Sequence, residues 1–183
     1  VALSPALSVE GPSFDFVYST SVIGSTLNPE VAIGEGVSYA TVITQPEGTS
    51  VVRSTVVLPA GGRLAHVSSS VWMAVAVACT QGLSTQVVGN VVMYDLGSCT
   101  NTPDGAANDA GNIVINTTLV VLDVAGSADM AVEATFTYSN GSSAVATSTS
   151  SNRSLIVVEP DLDVAIDTER HEVDAGDVVE YDV

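Results

Sequence analysis

The chain contains no lysine, and its only cations are Arg53, Arg63, Arg153 and Arg170 against 21 acidic residues, for a formal net charge of −17. That sign opposes binding to nucleic-acid phosphates or to anionic lipid. Without lysine, an intramolecular Lys-Asn isopeptide crosslink is impossible in these residues. Long apolar runs are also missing: the longest, Val71 to Cys79, is about half the ~20 residues that a membrane-spanning helix needs, so no membrane insertion is expected. The N-terminus shows neither an initiator Met nor a charged-plus-apolar leader, which fits an export signal already removed or a numbering that starts inside a longer protein. Motifs of catalysis are scarce as well. There is no Gly-x-Ser-x-Gly elbow, no Gly-rich phosphate loop ahead of a helix and no His-Glu-x-x-His, and the two histidines, His66 and His171, read as structural or surface residues rather than bases. The chain is read as a non-enzyme.

What is abundant is strand-forming. Apolar residues make up 46% of the chain, with Val, Ala and Thr dominant and aromatics at only 5%. Segment after segment alternates with period two: Phe14, Phe16 and Tyr18; Val37, Tyr39 and Ile43; Val52, Val56 and Leu58; Val92, Tyr94 and Leu96; Ile113, Ile115, Leu119 and Val121; Met130, Val132, Ala134, Phe136 and Tyr138. Met73, Val75, Val77 and Cys79 alternate with the smaller Ala74, Ala76 and Ala78, which predicts a strand buried on both faces. Trp72 falls opposite Met73 and Val75, the one ring off the core-facing rows. Turn signals separate these runs at Gly34-Glu35-Gly36, Pro46-Glu47-Gly48, Pro59 to Gly62, Gly89-Asn90, Asp104-Gly105 and Asn140-Gly141. No window supports an amphipathic helix. Eight or nine strands at this spacing predict an all-β protein, an antiparallel β-sandwich.

One stretch occurs twice. Glu30-Val31-x-x-Gly34-Glu35-x-Val37-x-Tyr39 returns as Glu172-Val173-x-x-Gly176-Asp177-x-Val179-x-Tyr181 in outline; Gly34 to Gly176 and Tyr39 to Tyr181 are both 142 residues apart. A turn-plus-strand signal at one fixed offset is what tandem domains leave in a sequence. The expected division is a first sandwich at residues 1–159 and, at 160–183, a Pro160 linker with the first strands of a following repeat, or a strand donated to a neighbour.

The candidate site residues are few. Cys79 and Cys99 stand 20 residues apart on two expected successive strands, which suits a structural disulfide; two buried free thiols in a reducing compartment are the alternative. Hard oxygen ligands gather at Asp104 and Asp109 in one loop and at Asp161 and Asp163 in the linker, where Ca²⁺ would be the cation they suit, although neither forms an EF-hand loop and a solvated acidic loop needs no metal. No other cofactor is expected. Sequons occur at Asn116, Asn140 and Asn152, in a chain so rich in Ser and Thr that their number carries little information.

Val31 to Val42, Val56 to Gly61 with Val67-Ser68, Gly89 to Gly97, Gly111 to Leu119 and Glu159 to Val164, taken in order, resemble the conserved-repeat domain of unknown function found in tandem in prokaryotic surface proteins. The sequence departs from that outline at Val56-Val57-Leu58-Pro59, at Gln45 to Gly48 and in having the cysteine pair. The resemblance implies an immunoglobulin-like sandwich repeated along an extracellular, cell-surface stalk, adhesin or filament, and it carries no catalytic residues. The expected function is therefore a structural and interaction module whose partners are neighbouring copies or repeats, joined in one version by β-strand addition. A carbohydrate- or ligand-binding module of a larger extracellular protein is the alternative.

Overall fold

In the computed structural model, residues 12–21, 29–103, 111–123, 129–139, 146–149 and 153–158 are described. They form twelve strands and no helix: β1 (Ser13–Ser21), β2 (Glu30–Val31), β3 (Gly36–Gln45), β4 (Gly48–Val57), β5 (Leu64–Met73), β6 (Val77–Cys79), β7 (Ser84–Val88), β8 (Val91–Asn101), β9 (Gly111–Val121), β10 (Asp129–Ser139), β11 (Ala146–Thr149) and β12 (Arg153–Val157). Two sheets result. One has the order β1-β3-β9-β5; the other runs β2-β12-β10-β4-β8-β6, with β11 beside β10 and β7 beside β8. All pairs are antiparallel except the short β2–β12 pair, which is parallel.

The period-two rows meet between the sheets. Phe16, Tyr39, Ile43, Val52, Val56, Tyr94, Leu96, Ile113, Ile115, Leu119, Met130, Val132 and Phe136 are all buried. Phe16 stacks on Tyr39 with ring centroids 5.0 Å apart, Tyr18 meets the same ring edge-on at 5.6 Å, and Phe14 stacks on Phe136 of the opposite sheet at 5.7 Å. Such offset and edge contacts are the favoured aromatic geometries.

The first copy of the repeated stretch is where the chain passes from one sheet to the other; the second copy, with the rest of 160–183, lies outside the described residues. Glu30 and Val31 pair with β12, and the next strand, β3, lies in the other sheet. Between them Gly34 takes φ +82°, a conformation that glycine adopts freely. Glu35 is fully buried, and its Oε2 accepts a hydrogen bond from the Ala32 N–H at 2.7 Å. Backbone bonds Gly34 N–H to Val121 O and Val121 N–H to Glu35 O fix the turn to β9. The far end of β3 is held similarly. Gln45, buried, donates from Nε2 to the Cys99 carbonyl at 2.9 Å and accepts from Ser50 Oγ, while Asn101 Nδ2 donates to the Gln45 carbonyl.

One expectation fails. The Met73 to Cys79 run is not one strand buried on both faces: β5 ends at Met73, a turn closed by Val77 N–H to Ala74 O intervenes, and β6 begins at Val77 in the other sheet. Val75, at the tip of that turn, is fully exposed. A run of small and β-branched residues fits a strand, but nothing in its pattern encodes a change of sheet.

Strand β8 is divided by a bulge. Val52 lies opposite Gly97 and Arg53 opposite Asp95, so Leu96 has no partner across the ladder. Before the bulge β8 pairs with β7, and after it with β6. Gly97 has φ +67°, and a Cβ there would lie 2.7 Å from Thr80 Oγ1. Gly97→Ala should therefore cost at least ~1–2 kcal/mol from the backbone conformation alone, read as a lower denaturant midpoint with an unchanged slope.

Candidate functional site

Cys79 and Cys99 are directly opposed in the β6–β8 ladder and are joined by a disulfide, as the sequence suggested; among the described residues no free cysteine remains. Cys99 is fully buried against the core, while Cys79 is half-buried. The bond ties a three-residue edge strand to a long interior one, and its closed loop contains β7. It reinforces the three ladder pairs of β6 and the flanking backbone bonds from Thr80 N–H to Ser98 O and from Thr102 N–H to Ala76 O.

A chain of side-chain hydrogen bonds crosses the core. His66 Nε2 and Ser69 Oγ are 2.8 Å apart, Ser69 Oγ and Tyr94 Oη 2.8 Å, and Tyr94 Oη and Thr117 Oγ1 2.7 Å. His66 and Ser69 belong to β5, Thr117 to β9 and Tyr94 to the opposite sheet, so the chain links both layers. A serine hydroxyl at hydrogen-bond distance from an imidazole is the first requirement of an activated nucleophile. Here the same hydroxyl is bonded to a buried tyrosine, and among the described residues no carboxylate orients His66. What the bonds themselves form is a polar tie between the two layers. His171 lies outside the described residues. Ser69 and Thr117 were not singled out from the sequence, yet Thr117 had a signal: it stands in the core-facing row between Ile115 and Leu119.

Burial pushes the Tyr94 hydroxyl above the usual tyrosine value, with the bonds to Ser69 and Thr117 opposing part of that shift. Asp95, next along β8, is held below the usual carboxylate range, first by the Gly97 N–H on Oδ1 at 2.8 Å and then by Arg53, whose Nε donates to Oδ2 at 2.9 Å. That ion pair is on the outer face, beside a shallow depression lined by Thr55, Gln86, Met93 and Thr137. An exposed pair of this kind is worth little.

The remaining candidates are scattered. Asn116 sits on the outer face of β9, half-buried, level with Ala40 and Ser70. Asn140, Asn152, Asp104, Asp109, Asp161 and Asp163 lie outside the described residues, among which no group of three or more His, Cys, Asp and Glu side chains could hold a metal ion. Trp72 is 57% exposed, whereas the other described aromatic rings lie in the core or pack against it. No described helix is long and apolar enough to cross a membrane.

No protein-family model matches the chain, and no curated protein matches it significantly. Solved structures do. The chain is similar to BcpA, the major pilin subunit of Bacillus cereus, with 15% identity over 81% of this chain and 41% of that one and a TM-score of 0.57. It is similar to the pilus backbone protein RrgB from Streptococcus pneumoniae, with 16% identity over 72% of this chain and 32% of that one and a TM-score of 0.53. The N-terminal domain of the Streptococcus gordonii adhesin Sgo0707 matches at 15% identity over 81% of this chain and 32% of that one, with a TM-score of 0.54. The chain thus spans less than half the length of each. At these identities the likeness establishes the fold, an immunoglobulin-like β-sandwich of the kind pilins and adhesins contain.

Two measurements test the internal ties. Replacing Cys79 and Cys99 by Ala should remove ~3 kcal/mol, the chain-entropy value for a loop of this size, and so lower Tm by roughly 6–12 °C for a domain of about 150 residues. For Tyr94, the folded-state value is raised, so its contribution is complete below the unfolded value of ~10 and is lost as pH rises towards the folded one. Tyr94→Phe should cost ~1 kcal/mol near neutrality and make stability fall less steeply than in the native chain above about pH 10, as followed by denaturant unfolding at stepped pH.

Proposed function

We propose that this chain is a structural link in an extracellular, surface-anchored filament or adhesin stalk, and that it performs no catalysis. The observation that carries this reading is the immunoglobulin-like sandwich shared with two pilins and an adhesin. The internal construction suits a link. One covalent staple holds β6, a polar chain ties the two sheets, and β3 is secured at both ends by buried side chains. Residues 160–183 open the next repeat in this proposal, the second copy of the Gly-acid-x-Val-x-Tyr outline being its marker. The resemblance to the tandem surface-repeat family supports the same assignment. Neighbouring copies or repeats are the partners, with strand addition by the segment after Pro160 as one means of joining.

Neither calcium at Asp104, Asp109, Asp161 and Asp163 nor sugar on Asn116, Asn140 and Asn152 is required by this reading. Among the described residues the glycan-binding alternative has a single exposed ring, Trp72, to offer as a platform.

Intact mass and negative-stain electron microscopy of the native assembly provide the test, before and after chelator and reductant. A long polypeptide or polymer with regularly spaced domains is the expected result. Isolation of the native protein as a free monomer of about 18.6 kDa would overturn it.

A further inference from the structure

Formal charge is absent from the run of sequence that builds one flank of this acidic molecule. Between Arg63 and Asp95 there is no Asp, Glu, Lys or Arg, although the whole chain carries 21 acids and four cations. That stretch builds β5, β6, β7 and the opening of β8. In the sandwich β5 is the outer strand of one sheet, and β6 and β7 lie end to end along β8 as the outer edge of the other. The Ser69–Tyr94 bond joins β5 to β8 across the core, so both edges belong to the same flank.

The flank is also where apolar side chains are left in solvent. Eight large hydrophobic residues are exposed among those described, and five of them, Val67, Trp72, Val75, Val87 and Val88, come from this stretch. No described strand pairs with the outer edge of β5 or of β7. Natural sheet edges are blunted by charge, proline or brevity. Strand β5 has ten residues, neither charge nor proline, and a single bulge at Val67. The opposite edge of the same sheet, β1, carries Asp15.

We propose that this flank is a lateral interface between copies of this chain, formed by antiparallel pairing of β5 with the β5 of a second copy. Two chains of net charge −17 repel one another over most approaches; meeting along the uncharged flank keeps acid away from acid at the contact. The strand is self-complementary besides. Pairing centred on Ser70 leaves the bulged Val67 outside the ladder and sets Ser70 against Ser70, Ser69 against Val71 and Ser68 against Trp72 of the other copy. A two-fold contact of this sort closes at two copies and turns two four-stranded sheets into one eight-stranded sheet. The inference goes beyond the end-to-end reading above, because it concerns contacts side by side, and the two can fail separately.

Sedimentation equilibrium of the full chain is the test. The expected result is a monomer–dimer mixture whose dimer fraction rises with protein concentration and rises again in molar salt, where repulsion between the two acidic bodies is screened. Ser70→Glu and Trp72→Glu, both at exposed positions, should remove the dimer at every concentration with Tm essentially unchanged, while Asp15→Asn on the far edge should leave it intact. A chain that stays monomeric at all concentrations and salts would overturn the proposal. So would a dimer that survives both β5 variants, including one abolished only by Val164→Glu with Ile166→Glu, which would assign the contact to the segment after Pro160.

Discussion

Strand β3 is fixed at both ends by a buried polar side chain, and much of the sandwich depends on that arrangement. A chain that changes sheet at most of its connections must bring backbone amides and carbonyls through the ends of the core, where water cannot serve them all. At the start of β3 the Glu35 carboxylate takes the Ala32 N–H, and at its end the Gln45 amide takes up the Cys99 carbonyl and the Ser50 hydroxyl. A buried group left without its partner would cost ~1–3 kcal/mol. These two residues hold β3 centrally, paired with β1 on one side and β9 on the other, so that the rings of Phe16, Tyr18 and Tyr39 can pack.

Between those ends the layers are joined unevenly. At the β1 side the contact is aromatic, Phe14 on Phe136, and needs no partner beyond shape. At the β5 side it is polar: Tyr94 projects from β8 into the opposite sheet and is received by Ser69 and Thr117. The bulge at Leu96–Gly97 belongs to the same design. It interrupts the β4–β8 ladder near the point where, on the other edge of β8, pairing passes from β7 to β6, and the disulfide holds the shorter of these two. An edge strand that pairs over only three residues is thus the one given a covalent bond.

How much of this could be read from the sequence follows from what each pattern encodes. Period-two alternation reports which side chains face inward, and the rows Phe14 to Tyr18, Val92 to Leu96 and Met130 to Tyr138 lie at or against the core as expected. It does not report which sheet a strand joins. Pro46-Glu47-Gly48 looks like a turn and is one, yet β3 and β4 belong to different layers. The Met73 to Cys79 run kept its alternation through a change of sheet because Ala74, Val75 and Ala76 offer no Gly, Pro or Asn to mark it. Strand β2 was hidden for another reason: two residues are too short for any period. The cysteine pair was legible because a spacing of 20 residues across successive strands permits a cross-strand bond, and Asn116 was legible as outward-facing by its place in the β9 alternation. The roles of Glu35 and Gln45 were not, since an acid beside a glycine and a glutamine before a proline read as ordinary turn residues until burial assigns them partners.

Charge distribution adds a constraint that neither pattern nor packing contains. An acidic surface keeps such a protein soluble and apart from its copies, and each copy added to an array raises the repulsion among all of them. Contacts between copies are then selected less by what they offer than by what they avoid. A flank without ionisable acids is the place where desolvation is cheapest, and strand edges placed there gain main-chain hydrogen bonds that demand no particular side chain. The sequence between Arg63 and Asp95 supplies both conditions at once, because the same Ser, Val and Ala residues that lack charge are those that extend readily as strands. In the proposed β5–β5 pairing, it is the absence of charge from β5 to β7 that lets two copies of so acidic a chain meet.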